Sequence, residues 1–456
     1  MKCVHILMLI NLLLISCPAF GQAVLKIHNA DMLRQNQFGG RTVYGNVDIE
    51  YDIYRVRCDS AVVNKDMSHA VLFRNIQFTD TSRTIFCDRA TLSETRAGRL
   101  AYLSGNVRII ESDLIITGKE ASINEINNRI TVTDSVIARY YEHPSILFSE
   151  DLVYETQNNI ISSRTLDSVL YIDSLRYYRL FTDIFTYDTE KKLLTLENRF
   201  RIRSGEFKNA VSVTPVFEPE NICAVARSED LASTAFFSAD RGSFYFDPLN
   251  FSVSGKPNLT RITHTENDTI FFNSDRLTYN ETEEKGVATG NVRLKNNQLI
   301  LTSGKAAYYT DGTVRLYHDP LITYSHHEIS GDSMRIKTSD TELFPEDATV
   351  FGNPVYTAVP YENTPEEKNI LKGRLMDLWF LNKEISKIIV SKEAEALYFI
   401  REDEMSPSRA SNYLLGDTVE IRFLDGAIES VLIKGGCEGI YYPEIIRMNA
   451  LKKIKK

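Results

Sequence analysis

Apolar and polar positions alternate with a period of two in short runs that return along the whole chain. Three passages carry the pattern most plainly: Gly45-Asn46-Val47-Asp48-Ile49, Gly105-Asn106-Val107-Arg108-Ile109 and Gly290-Asn291-Val292-Arg293-Leu294. In each, Gly-Asn supplies a turn or bulge that tolerates positive φ, and the apolar-charged-apolar triplet predicts a half-buried strand. A fourth copy, Gly352-Asn353-Pro354-Val355-Tyr356, carries a proline and predicts an edge or a strand start. Between these lies a second recurring passage, as in Ile85-Phe86-Cys87-Asp88-Arg89-Ala90 and Leu299-Ile300-Leu301-Thr302-Ser303-Gly304-Lys305-Ala306. Markers taken from it (Ala61, Ala90, Ala121, Leu152, Leu175, Leu277, Ala306 and Met334) fall mostly about thirty residues apart, the spacing of a stacked repeat.

Short strands repeated in this way cannot each bury an apolar face alone, so neighbours must stack around a continuous interior. The fold class expected is all-β: an elongated sandwich or open β-jelly-roll, a solenoid-like stack of repeated antiparallel strands with unpaired strands at both ends. Helical signals are weak. The organisation read from the chain is a leader at 1–21, a repeat array over 22–356 with an insertion near 200–233, an interruption at 357–371 marked by Pro360 and Pro365, a second β segment over 372–443, and a basic tail at 444–456 in which Lys452 to Lys456 are expected to be solvated. Because a one-residue slip exchanges inside for outside, inward residues are assigned only at the clearest triplets: Val47, Ile49, Val107, Ile109, Val292 and Leu294.

The first residues have the layout of a secretory signal peptide: Met1-Lys2, an apolar run from Val4 to Ile15, and small residues Ala19 and Gly21 before Gln22. Leu14-Ile15-Ser16-Cys17 also fits a lipobox, which would make a lipidated Cys17 the mature N-terminus. Either route exports the chain, and no later segment has the apolar length of a transmembrane helix. A formal charge of -9 argues against nucleic acid as a partner.

Chemistry-bearing patterns are sparse. His326-His327-Glu328 and His264-Thr265-Glu266 have no partner cluster at ligand spacing, and adjacent histidines on a strand point to opposite faces, so no metal site is expected. Asp59, Asp88, Asp240, Asp275 and Asp332 recur at one position of the repeat, as a turn residue does in every rung, rather than converging as paired catalytic carboxylates do. No nucleophile elbow, phosphate loop or Cys-x-x-Cys occurs, so neither an enzymatic activity nor a cofactor is expected. Cys58 and Cys87 occupy equivalent positions one repeat apart. If the rungs that carry them stack directly, they form a disulfide staple; otherwise they are two small core residues.

Gly105-Asn106-Val107 followed by Leu114-Ile115-Ile116-Thr117-Gly118-Lys119-Glu120-Ala121, and Gly290-Asn291-Val292 followed by Leu299 to Tyr308, resemble the OstA/LptA-like repeat of lipopolysaccharide transport. The resemblance is clearest over 41–153 and 236–356. It implies a V-shaped β-jelly-roll whose apolar groove shields lipid A acyl chains, with Val47, Ile49, Val107, Ile109, Val292 and Leu294 as lipid-facing candidates. It further implies a periplasmic protein that takes lipopolysaccharide as its ligand. Its partners would be other transport components met through edge strands, an outer-membrane translocon or a second copy. The competing expectation is a structural or adhesive cell-surface solenoid with a filled interior and no lipid cargo.

Overall fold

The structure, a computed structural model, describes residues 25–454 except 52, 96–97, 113, 142–144, 173–175, 209–230, 247, 265–267, 339–344, 360–363, 401–408 and 425–426. The leader, Cys17, Thr265, Glu266 and Cys223 fall outside these. Among the described residues the chain forms 36 β-strands and one 3₁₀ helix, and the strand pairings are antiparallel. The chain divides into two compact units, residues 1–142 with 149–157, and 143–148 with 158–456.

The first unit is a meander. Strands Arg41–Tyr51, Tyr54–Val63, His69–Thr79, Arg83–Thr95, Gly98–Glu111, Leu114–Asn124 and Arg129–Tyr140 each pair with the next. Asp and Asn residues set the connections: Asn64 Oδ1 accepts from the His69 amide, and Asp80 Oδ1 accepts from the amides of Ser82 and Arg83. Every strand is broken near its middle by a register shift, so the sheet folds into two walls. One wall carries the cross-strand ladder Val43, Ala61, Leu72, Ala90, Leu103, Ala121, Val132. The other carries Ile49, Val56, Phe78, Ile85, Ile109, Ile116, Ala138. All fourteen are at most 6% exposed. Small and large residues alternate along the first ladder, which lets the two inner faces close on each other. Each fully buried aliphatic side chain contributes about 1.5–3 kcal/mol.

The corners have a common construction. Consecutive residues with φ near +45 to +75° mark them: Gly45-Asn46, Arg74-Asn75, Gly105-Asn106, Asp134-Ser135, Gly290-Asn291, His318-Asp319 and Gly352-Asn353. Two left-handed residues in succession insert a bulge that redirects the strand. On the paired strand an aspartate braces many of them. Asp59 accepts from the Asn75 side-chain amide at 2.9 Å, Asp88 from Asn106 at 2.8 Å and Asp275 from Asn291 at 2.9 Å, with Asp332 beside Asn353 at 3.3 Å. Asp240 stands in the same place against Gly255. The acids that recur in the sequence therefore hold these corners.

In the second unit the chain lays a hairpin on one wall and then a hairpin on the other. One wall has the ladder Tyr187, Leu194, Phe244, Phe251, Tyr279, Gly286, Tyr308, Val314, Ile336, Ala348, Leu378, Ile388, Ile421. The facing wall has Leu180, Ile202, Phe237, Leu259, Phe272, Leu294, Leu301, Ile322, Ile329, Tyr356, Leu371, Ala396. The Pro-rich stretch at 357–371 leaves the ladders continuous: Val355–Ala358 pairs with Asn369–Lys372, and Pro345–Phe351 with Leu375–Leu381. Where the sequence loses its period after Phe200, strands Phe200–Phe207 and Leu231–Ala239 pair with each other.

Lys452 and Lys453 are exposed, and the segment that leads to them is seated. Glu444–Lys452 forms the 3₁₀ helix, and Ala450 and Ile454 are buried in a cluster with Leu397, Phe399, Tyr413 and Tyr442. Met448, Ala450, Leu451 and Ile454 give it an apolar side to bury, while Ile445 stays 96% exposed.

Candidate functional site

Both units have an apolar interior between two walls, but they differ in how far it is closed. In the first unit the interior is sealed. Tyr51 Oη donates to the Ser93 carbonyl across the free margin of the walls, and burial raises the Glu111 carboxyl beside Tyr154 above the usual carboxylate range. The later rungs of the second unit are sealed as well. Leu301, Ile322, Ile329, Tyr356 and Leu371 on one wall and Ile336, Ala348, Leu378 and Ile388 on the other belong to a single buried cluster. Tyr324 Oη donates to the Lys383 carbonyl across the margin. A void between Leu299, Ile322, Met334, Ile336 and Phe380 measures about 20 Å³, room for one water.

The earlier rungs of the second unit are different. Next to the corner, Leu196, Phe200, Val253, Ala288 and Val292 are buried. One position further out, Tyr187, Leu194, Phe244, Phe251 and Tyr279 on one wall and Ile202, Phe237, Leu259, Phe272 and Leu294 on the other are all only half-buried. Their apolar side chains there keep part of their surface accessible. Aromatic rings line the gap: Phe200 lies 5.8 Å from both Phe237 and Phe244, Phe244 is 5.7 Å from Phe251, and Phe251 stacks on Tyr279 at 5.7 Å. The stretch is an apolar slot, deep at the corner and accessible from the margin.

Val47, Ile49, Val107 and Ile109 lie on the sealed inner faces of the first unit, and Val292 is buried beside a corner in the second. Leu294 is the one inward candidate at the accessible slot, and it packs against the first residues of the sealed cluster. The aromatic lining was missed because the runs Phe236-Phe237 and Phe271-Phe272 hide the alternation. Phe236 and Phe271 point outward, at 43% and 45% exposure, while their neighbours point in.

Cys58 and Cys87 are free, buried thiols. They share a wall but strand His69–Thr79 runs between them, with Ile76 paired to Cys87. The repeat is two strands long, so equivalent positions are two strand spacings apart, about 9–10 Å, beyond disulfide reach. Burial pushes both thiols up to about 12. His327 is buried and shares a 2.9 Å hydrogen bond with Tyr356 Oη, while His264 Nε2 meets Thr234 Oγ1 at 2.9 Å. Among the described residues no group of three His, Cys, Asp or Glu side chains is placed to hold a metal, and no helix is long and apolar enough to cross a membrane.

No protein-family model and no curated sequence matches the chain. Among solved structures, it is similar to LptH, the LptA-homologous periplasmic component of the lipopolysaccharide transport device of Pseudomonas aeruginosa. That likeness has 20% sequence identity, covers 24% of this chain and 79% of LptH, and has a TM-score of 0.22.

Proposed function

We propose that the chain is an exported carrier or bridge for lipopolysaccharide on its way to the outer membrane, sheltering lipid A acyl chains between the walls of its folded sheet. The observation that carries this reading is the accessible slot lined by Phe237, Phe244, Phe251, Phe272 and Tyr279. Ten inner-face residues keep contact with solvent there, whereas the inner-face residues Leu301, Ile322, Ile336, Ala348, Leu378 and Ile388 of the later rungs are buried. Moving an acyl chain from water into such a slot is worth about 0.8 kcal/mol per CH₂. The binding is non-catalytic, and the export signal and the repeat resemblance point to the periplasm. Transport partners would pair with the terminal strands, as unpaired sheet edges do.

A second reading, a structural stack without cargo, is favoured by one observation: the first unit and the later rungs of the second have filled interiors. Photocrosslinking residues placed at Phe251 and Leu294, with outward controls at Phe271 and Arg293, separate the two. Lipopolysaccharide crosslinks from the inner pair alone support the carrier, whereas none from either pair in the folded protein favours the structural stack.

A further inference from the structure

The wall that carries Ile202, Phe237, Leu259, Phe272 and Leu294 toward the slot turns a different surface outward. On either side of that ladder two outward rows cross six neighbouring strands, a width of about 24 Å at the usual strand spacing. One row is Arg179, Arg203, Phe236, Thr260, Phe271 and Lys295; the other is Phe181, Arg201, Ser238, Asn258, Asn273 and Arg293. All the cations are exposed, as are Phe236 and Phe271, and neither row contains a carboxylate. Among the described residues no carboxylate lies within ion-pair distance of these cations, whereas outward cations such as Arg55 and Lys119 are paired, with Asp48 and Asp134. Three acids, Asp183, Asp240 and Asp275, bound the rows at the corner, where Asp240 faces Arg199 at 4.0 Å and Asp275 is engaged by Asn291.

A basic and aromatic face thus stands on a protein whose formal charge is -9. The arginines pack on the rings: Arg179 lies 5.0 Å and Arg201 6.0 Å over Phe181, and Arg203 lies 5.8 Å over Phe236. Ring faces occupied by guanidinium groups are poor platforms for a base or a sugar to stack on. Apolar rings set among cations suit the boundary between lipid headgroups and acyl chains. We infer that this face docks on an anionic bilayer surface, with Arg179, Arg201, Arg203, Arg293 and Lys295 meeting lipid phosphates and Phe236 and Phe271 entering the headgroup layer. Local basicity rather than net charge governs such a contact, because screening at physiological salt limits the reach of a charge to about 8 Å. The rows suit an extended surface rather than a single amphiphile. Docking is also independent of cargo in the slot, which lies on the opposite face of the wall.

The test is co-sedimentation of the full chain with vesicles containing phosphatidylglycerol and with vesicles of phosphatidylcholine alone. The anionic vesicles should bind at least about tenfold more tightly, and the preference should fade as salt rises. Arg201→Gln with Arg203→Gln and Lys295→Gln should abolish it. Lys65→Gln with Arg108→Gln and Arg129→Gln, the same change of charge on exposed residues of the first unit, should leave it intact. No binding, or equal binding to both vesicles as an inserted apolar leader would give, overturns the proposal, and so does a preference that the two triple variants affect alike. Heparin, a soluble polyanion, binding as tightly as the anionic vesicles would make this a general polyanion site and overturn the bilayer. If docking fails, the crosslinks from Phe251 and Leu294 still decide the carrier reading.

Discussion

Asp88 Oδ2 accepts the Asn106 side-chain amide at 2.8 Å and lies only 2.6 Å from where a Cβ on Gly105 would stand. The contact explains why glycine and asparagine occur together at the corner. Gly105 has φ +75° and must leave room for the aspartate, while Asn106, at φ +46°, tolerates the left-handed region and reaches back to it. Gly105→Ala adds strain and a steric clash, and should cost about 1–3 kcal/mol. Asn106→Gly keeps the left-handed backbone, loses only an exposed hydrogen bond and should cost about 1 kcal/mol or less. Urea unfolding of the two variants checks the order, and a costlier asparagine substitution would mean that the brace, rather than the backbone, sets the corner.

That corner was legible in the sequence as a bulge, and so was the two-residue period that put Val47, Ile49, Val107, Ile109 and Val292 inside. The identity of the bracing partner was not, because Asp88 and Asn106 are brought together by strand pairing across 18 residues. The slot was equally hidden. Phe251 and Ile388 occupy the same ladder, and nothing local separates the half-buried one from the fully buried one. The difference lies in how closely the opposite wall approaches. Whether Cys58 and Cys87 were bonded or two core residues stayed open for a related reason, since sequence spacing cannot tell one strand per repeat from two.

Cysteine accessibility should map the boundary of the slot. With Cys437 replaced by Ser, Leu259→Cys and Phe272→Cys should react with a maleimide in the folded protein, while Ile329→Cys and Leu371→Cys should react only on unfolding. Ile329 and Leu371 are each 2% exposed, whereas Leu259 and Phe272 are half-buried. Mass mapping of the labelled peptides separates the two sets, and uniform protection of all four would show a sealed interior.

The buried His327 should make stability fall on mild acidification. Burial, helped by neighbouring His326, lowers its pKa from 6.5 to about 4. Between those values the unfolded chain takes up a proton that the folded chain refuses, so stability rises with pH across that window. The contribution is complete above about pH 6.5 and is lost as pH falls toward 4, a change on the order of 3 kcal/mol. Denaturant unfolding at pH 7 and pH 5 should show a smaller difference for His327→Gln than for the natural chain. Parallel pH dependences would assign the loss to other groups.

Cys58 and Cys87 should remain thiols under oxidising conditions and ignore thiol reagents until the chain unfolds. Both are buried, and burial holds them at about 12, so the reactive thiolate is scarce at neutral pH. Cys437 is exposed and should react at once. Peptide mapping without reductant, on protein prepared in air, should find residues 58 and 87 unlinked. A bond between them would require the intervening strand His69–Thr79 to be displaced.

The C-terminal helix is held to the stack by an ion pair whose two ends lie far apart in sequence. Arg447 Nε donates to Glu367 Oε1 at 3.1 Å, and the Glu367 side chain is fully buried while that of Arg447 is 24% exposed. The same turn of helix offers the Arg447 carbonyl to Ser411 Oγ at 2.7 Å. Removing the cation takes its ion-pair partner from a buried carboxylate that still accepts from Thr364 Oγ1, which should cost about 1–3 kcal/mol. Removing both charges should cost far less, because the helix keeps Ala450 and Ile454 in their apolar cluster. Arg447→Met should therefore destabilise the chain, and adding Glu367→Gln should restore most of the loss. If the double variant is as unstable as the single one, the ion pair is incidental and the apolar contacts around Ala450 depend on Arg447 in some other way.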